Sequence, residues 1–432
     1  MDWMEVLFLA GGFAVLIALG IPISFAIGLA TLATMWLTMD SLPACTTVAQ
    51  QMATGLDSYA LLAIPFFILA GLLMNRGGIA RRLIALAKVM VGSLRGGLAF
   101  VIVLACMLFG AISGSAVAAA AAIGGFMIPL MVKEGYERNY SAAVNITAAT
   151  TGLIIPPSNI LIVYSFASGG VSIAALFLAG YLPGIVVGLA LMFMAGTLAH
   201  RHRYPRGEMS TWGEGIRVFL AALPSLFLIV VVIGGIVGGL FTATEASAVA
   251  VAYAFILAVL IYREVAWKEI PQLLLDASAT TAIVMLLVGA STAMSWIMAY
   301  ENIPQQVSAA LIALTQSRIL ILLIINVVLL IVGTFMDMTP AVLIFTPIFL
   351  PVVQQLGMDP IHFGIMLVTN LCVGLCTPPV GSVLFVGTGI AETTIMQVLK
   401  PLLPFYAAMV AALLLITYVP WLSLFLPHWF GY

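Results

Sequence analysis

Two segments carry the same unusual chemistry: Gly152-Leu153-Ile154-Ile155-Pro156-Pro157-Ser158-Asn159 and Gly374-Leu375-Cys376-Thr377-Pro378-Pro379-Val380-Gly381. Each sets a proline pair inside a long apolar stretch. Proline has no backbone N–H and clashes with the preceding helical turn, so the carbonyls before each pair lose their helical partners. Inside a bilayer such carbonyls must find other partners or line a cavity. Unwound carbonyls beside hydroxyls suit a small hard cation such as Na+, and the helix start after a break offers N–H groups to an anion. Polar side chains gather at both places: Asn145, Thr147, Thr150, Thr151, Ser158 and Asn159 at the first, Thr369, Asn370, Thr377 and Ser382 at the second. The competing use of these groups is to bond back to their own helices or to join helix pairs.

Two further segments share this pattern. Gly110-Ala111-Ile112-Ser113-Gly114-Ser115 and Gly333-Thr334-Phe335-Met336-Asp337-Met338-Thr339-Pro340 read as tips where the chain turns within apolar surroundings. Asp337 is the only acidic residue between Glu301 and Asp359. An ionisable group at that depth is costly to keep and is a functional candidate by default, for ion binding or tip structure, the competing reading being a solvated loop carboxylate. Glu245, in Thr242-Ala243-Thr244-Glu245-Ala246-Ser247, reads as a helix-start cap, and Asp276 is read the same way. Enzymatic chemistry finds little footing. The histidines His200, His202, His362 and His428 are expected in loops or near the end, so no buried base accompanies Ser113 or Ser115. No phosphate loop with lysine is present. Cys372 and Cys376, four apart, are expected to pack between helices rather than bind a metal.

The elements that position these residues follow from composition. The 432 residues are 63% hydrophobic and 7% charged, against roughly 25% charge in a soluble domain, so water cannot be the main solvent. Continuous apolar runs, without the alternation of a membrane barrel, imply an all-α polytopic membrane protein. The N-terminus is acidic rather than basic and does not read as a signal peptide. A net charge of −1 argues against nucleic acid as a partner. Basic residues mark the cytoplasmic side. Those at Arg76 to Arg95, at Lys133 and Arg138, and from His200 to Arg206 share one side only if the intervening segment is a re-entrant hairpin. This places the N-terminus and C-terminus in the periplasm, with Asp40 to Ser58 as a polar loop.

Self-similarity orders the whole chain. Pro129 and Pro351, Gly135 and Gly357, Gly152 and Gly374, Pro156 and Pro378, and Pro157 and Pro379 all stand 222 apart, and Asp337 falls on Ser115. Glycine and proline have backbone roles, so this spacing indicates duplication. The basic segment in the first copy has a nearly uncharged counterpart in the second, which implies two inverted-topology repeats. The first, 1–205, comprises scaffold spans 1–76, an amphipathic arm 77–96, a re-entrant hairpin 97–132, a broken helix 139–168 and a return span 173–199. A cytoplasmic linker covers 200–215. The second, 216–432, comprises scaffold spans 216–300, an arm 302–317, a hairpin 318–352, a broken helix 361–390 and a final span 396–427.

Ala63-Ile64-Pro65-Phe66-Phe67-Ile68-Leu69-Ala70-Gly71, the Gly110–Ser115 tip with its alanine-rich sequel, the Pro-Pro-Ser break, Gly239-Leu240-Phe241-Thr242-Ala243-Thr244-Glu245-Ala246 and Gly333–Pro340 together resemble the large membrane subunit of tripartite ATP-independent periplasmic (TRAP) transporters, of DctM type. One departure is Ala243, where the family pattern has proline. The resemblance implies a sodium-coupled importer of an organic acid, such as sialic acid or a C4-dicarboxylate, in the bacterial inner membrane. It implies an elevator motion, a periplasmic substrate-binding protein and a small four-helix membrane subunit, here expected as a separate chain. No cofactor beyond the coupling ion Na+ is expected, and no transition metal.

The expected sodium ligands are Ser113, Gly114, Ser115, Asn145, Thr150, Thr151, Gly152 and Pro156 in the first repeat. In the second they are Gly333, Asp337, Thr339, Thr369, Asn370, Gly374, Thr377 and Pro378. The expected substrate contacts are Ser113, Ser115, Pro157, Ser158, Asn159, Met338, Thr339, Pro379 and Ser382. No arginine is evident there, so carboxylate recognition is expected to rest on backbone dipoles. The rival readings are a stand-alone divalent-anion/sodium symporter, which often carries Ser-Asn-Thr at both tips, and an intramembrane hydrolase or membrane scaffold.

Overall fold

The computed structural model describes residues 3–207 and 211–432, so Met1, Asp2 and the middle of the expected linker (208–210) lie outside the described residues. The chain is helical throughout. Helices α1 (Trp3–Ala18) and α2 (Ile23–Thr38) are separated at Gly20, whose φ of +79° lets the chain reverse before Pro22. Next come α3 (Ser41–Leu56), α4 (Ala63–Arg76) and α5 (Ile79–Val91). The expected polar loop at 40–58 is therefore a helix. Its buried positions Ala44, Val48 and Gly55 recur at helical spacing, a weak apolar face that the polar composition masked. That face meets Thr292, whose hydroxyl would lie 2.3 Å from a Cβ added at Gly55.

The expected arm is α5. Its buried face, Ile79, Ala80, Leu83, Ile84, Leu86 and Ala87, leaves the arginines on the other side. Arg81 and Arg82 both pair with Glu264, and the Arg82 guanidinium lies 3.5 Å from the Tyr262 ring centroid. Then α6 (Gly97–Ser113) and α7 (Ala116–Lys133) form a hairpin, followed by α8 (Arg138–Ala149), α9 (Thr151–Ile154) and α10 (Asn159–Ala167). Across the Pro-Pro break the chain bends by 52°. Helix α11 (Ile173–Arg201) closes the first half.

The second half opens with α12 (Trp212–Val237) and α13 (Ala243–Phe255), which runs into a π-helical turn at Ile256–Ile261. Alanine in place of proline at 243 leaves the α13 start intact. The Thr242 backbone N–H donates to the Glu245 carboxylate at 2.8 Å, and the Glu245 N–H donates to the Thr242 hydroxyl at 3.3 Å. Helix α14 (Ile270–Tyr300) carries Asp276. This residue caps no helix start, contrary to expectation. It accepts from Arg76 of α4 at 2.8 Å, because it sits two turns into α14 where the two scaffold helices face each other.

Helices α15 (Ile303–Leu314), α16 (Arg318–Gly333), α17 (Met338–Gln355), α18 (Pro360–Gly374), α19 (Ser382–Ile390) and α20 (Ile395–Tyr418) complete the chain with α21 (Trp421–Trp429). The expected final span 396–427 is thus divided. Pro420 disfavours helix at the residue before it, and Val419 is accordingly non-helical at φ −118°, ψ 82°. Helices α7 and α17 begin and end 222 positions apart, and both Pro-Pro bonds are cis. Among the described residues eight helices are long and apolar enough to cross a membrane, or nine counting the bent pair at 138–167.

Each hairpin meets its broken helix through glycine. A Cβ added at Gly110 would lie 2.5 Å from Gly152 Cα, and one added at Gly374 would lie 2.7 Å from the Gly333 backbone. These contacts bring tip and break together at backbone distance, which no larger residue allows. Gly110→Ala and Gly374→Ala are each expected to destabilise the protein by about 1–3 kcal/mol. Gly11→Ala, with nothing within 4 Å, serves as the neutral control in the same melting measurements in detergent.

Candidate functional site

A cavity of about 320 Å³ lies where the two hairpin tips meet the two half-helices. Four helix starts open on it: α7 through Ser115 to Ala118, α10 through Asn159 and Ile160, α17 through Met338 and Thr339, and α19 through Ser382 and Val383. The first N–H groups of a helix have no intrahelical acceptor. Each start carries roughly half a positive elementary charge, so four of them together oppose the single negative charge of Asp337 with roughly two positive ones. Among the described residues, Asp337 is the only charged one lining the cavity. No arginine or lysine lines it among the described residues.

Local contacts hold these starts in place. Ser115 caps α7 by accepting the Ala118 N–H at 3.2 Å. Gly114, at φ +62°, leaves room for the Asn159 amide, which would lie 3.0 Å from a Cβ there. In the second half the Val380 N–H donates to the Thr334 carbonyl at 3.3 Å, and Ser382 Oγ stands 3.5 Å from Asp337 Oδ1. Each tip therefore docks on the start of its own half-helix.

Of the expected site residues, Ser113, Gly114, Ser115, Asn159, Asp337, Met338, Thr339 and Ser382 line the cavity together. The others stand apart from it. Thr150, Thr151, Thr369 and Thr377 are held by donation to carbonyls of their own helical stretch, at 2.7–2.9 Å. Ser158 donates to the Leu153 carbonyl at 2.6 Å. Gly152, Gly333 and Gly374 serve the backbone contacts described above, and Pro156, Pro157, Pro378 and Pro379 are absent from the cavity lining. Asn145 donates to the Ala120 carbonyl at 3.0 Å, and Asn370 donates to Asn326 at 2.9 Å. Both leave a buried Oδ1 without a partner among the described residues. A threonine that donates inward turns its lone pairs outward, so both clusters present oxygen acceptors of the kind a hard cation takes.

His362 departs from expectation: it lies within α18 and is 1% exposed, because its ring ties α18 to α20 through Nε2 and the Thr417 carbonyl at 3.1 Å. His200 and His428 also fall within helices, α11 and α21. No histidine lines the cavity beside Ser113 and Ser115. Cys372 and Cys376 are buried and donate to the Thr150 and Ile146 carbonyls, joining the two broken helices across the repeats. Tyr406 of α20 donates to the Cys376 carbonyl, just before the second break.

Sequence reasoning missed the opposite wall. Asn75 and Gly71 of α4 and Thr280 of α14 line the cavity. A Cβ at Gly71 would lie 2.7 Å from the Ser113 carbonyl oxygen, so the first tip rests directly on α4. Asn75 was legible only as a polar residue one position before the end of a span.

The family described as tripartite ATP-independent periplasmic transporter, DctM component, matches residues 10–422. The chain is 39% identical to the C4-dicarboxylate TRAP transporter large permease protein DctM of Rhodobacter capsulatus, over 99% of this chain and 100% of that one. It is 43% identical to the isethionate TRAP transporter permease protein DctMQ of Oleidesulfovibrio alaskensis, over 98% of this chain and 66% of that one. Among solved structures, the Alcanivorax borkumensis YdaH transporter shares the fold at a TM-score of 0.63 and 16% identity, covering 91% of this chain and 89% of that one.

Ser115→Ala removes the α7 cap and is expected to cost about 1 kcal/mol of stability, read as a lower melting temperature. Ser115→Thr, which retains a hydroxyl capping acceptor, is expected to restore most of that stability.

Proposed function

Because the chain belongs to the DctM component family of tripartite ATP-independent periplasmic transporters, we propose that it imports a small organic acid together with Na+ across the bacterial inner membrane. The observation that carries this reading is the convergence of four helix starts and one carboxylate on a single cavity. Helix starts attract the anionic end of the acid. Asp337 repels it, unless a cation sits nearby. A bound Na+ cancels that repulsion, so ion and acid favour each other's binding, which is the requirement for coupled import.

The acceptor oxygens at the two breaks, including the unpartnered Oδ1 atoms of Asn145 and Asn370, fit a hard cation. Sodium travels with the substrate as cargo. The cavity volume sits near the lower end of the range of about 300–1,000 Å³ for small-molecule sites, a size that accepts a small organic acid. Relatives named for C4-dicarboxylate and isethionate fit the same picture of a compact anion.

In the proposed elevator motion, the hairpins and broken helices carry the cavity against a scaffold that includes α4 and α14. A small four-helix membrane subunit and a periplasmic binding protein complete the system, and the longer DctMQ relative supports the first of these. Excess basic residues at the arm and after α11 favour both termini on the periplasmic side.

The test is the melting temperature of the purified chain in NaCl against KCl at equal ionic strength. Binding to the folded state alone stabilises by about 2.7 kcal/mol at a hundredfold excess over Kd. A sodium-specific rise that Asp337→Asn reduces is expected, and an equal response to both salts would count against sodium coupling. Uptake by the chain alone in liposomes, without partner proteins, would favour a stand-alone symporter instead.

A further inference from the structure

The cavity has two unlike walls. One is built from the hairpin tips and half-helix starts, with their backbone N–H groups and hydroxyls. The other belongs to α4 and α14 and is mostly apolar: Ile64, Ile68, Leu72 and Val284. Two polar side chains interrupt it, Asn75 and Thr280. The Thr280 hydroxyl donates to the Asp276 carbonyl at 2.9 Å, which leaves its lone pairs free to accept. Asn75 makes no hydrogen bond to another described side chain or backbone group, although it is only partly exposed. Its carboxamide offers two donors and an acceptor to whatever occupies the cavity.

The position of Asn75 is tightly set. Arg76, the next residue, pairs with Asp276 of α14 at 2.8 Å, and Asp276 is also bound by Gln272 at 2.8 Å. Asp276 lies one helical turn before Thr280 on the same helix. The ion pair joins the two packed scaffold helices near the level where Asn75 and Thr280 line the cavity. An apolar wall would suffice to exclude water. An unpaired amide held in place there is suited to reading a group on the ligand.

We infer that Asn75, assisted by Thr280, reads a hydroxyl group on the transported acid, and that the chain therefore discriminates hydroxy acids from their deoxy counterparts. This rests on the reading of the cavity as an organic-acid site. The carboxylate seats on the helix starts, where any acid fits equally. The hydroxyl faces the scaffold and both donates to and accepts from the amide. An acid lacking it leaves the Asn75 amide unpaired once water is displaced, and a site built to pair such a group rejects the analogue that lacks it. Substrate choice is then made on a wall that does not travel with the substrate, so the contact exists in one conformation and is broken in the other.

The experiment uses the full-length chain in detergent with NaCl and measures apparent affinities from melting-temperature titrations with matched pairs: malate and succinate, lactate and propionate. The wild type is expected to bind the hydroxy member of at least one pair about tenfold more tightly, the change that one well-made hydrogen bond supplies. Asn75→Leu, similar in size and without polar atoms, is expected to bring that ratio close to one, chiefly by raising the affinity for the deoxy acid, which no longer strands an unpaired amide. Asn75→Gln, which keeps the amide, is expected to retain part of the preference. Equal weakening for both members of a pair, or an unchanged ratio, would overturn the inference. A wild type that binds none of the four acids would instead overturn the organic-acid reading beneath it. The unliganded melting temperature of each variant separates a folding defect from a lost contact.

Discussion

Backbone hydrogen bonding without water is the constraint on which the structure depends. In a bilayer each N–H and C=O needs a partner within the protein, so a helix that stops in the middle must have something to face. This chain stops helices several times over around one cavity. Pro156-Pro157 and Pro378-Pro379 force the breaks, and Gly114 and the Gly333–Asp337 stretch turn the hairpins. The N–H groups so released converge on one cavity, and the carbonyls are met by Ser158 and Tyr406. The site is a consequence of broken helices before it is a set of side chains.

This explains how a cavity suited to an anion manages without arginine or lysine. Fixed dipoles supply the positive potential, and Asp337 supplies a negative group whose cost falls when a cation is present. A guanidinium would bind the acid whether or not the ion was there. In the proposed reading, weak backbone recognition offset by a carboxylate would make acid affinity conditional on the ion, which is the property a coupled carrier needs.

Much of this was legible in the sequence because the residues that impose it have backbone roles. Glycine and proline spaced 222 apart marked the breaks and hairpins, and the bounds of α7 and α17 repeat at that same spacing. What escaped reading depends on tertiary contact. Helix α3 is polar in composition and owes its helical form to packing on α14, so its short apolar face gave little signal. His362 was expected in a loop, yet it lies buried within α18 as a tie to α20. Asn75 and Thr280 belong to spans far apart in sequence. The packing of α4 against α14, with the Arg76–Asp276 pair at its edge, brings them to the same cavity.

The central claim is that ion and acid binding are conditional on each other, and reciprocity tests it most directly. The apparent affinity of the purified chain for an organic acid such as malate should be measured across a range of NaCl, with KCl holding ionic strength constant, and the sodium affinity across a range of malate. The account predicts that each raises the other by the same factor, because linkage requires it. Acid binding that ignores the sodium concentration, or that responds equally to potassium, would contradict it.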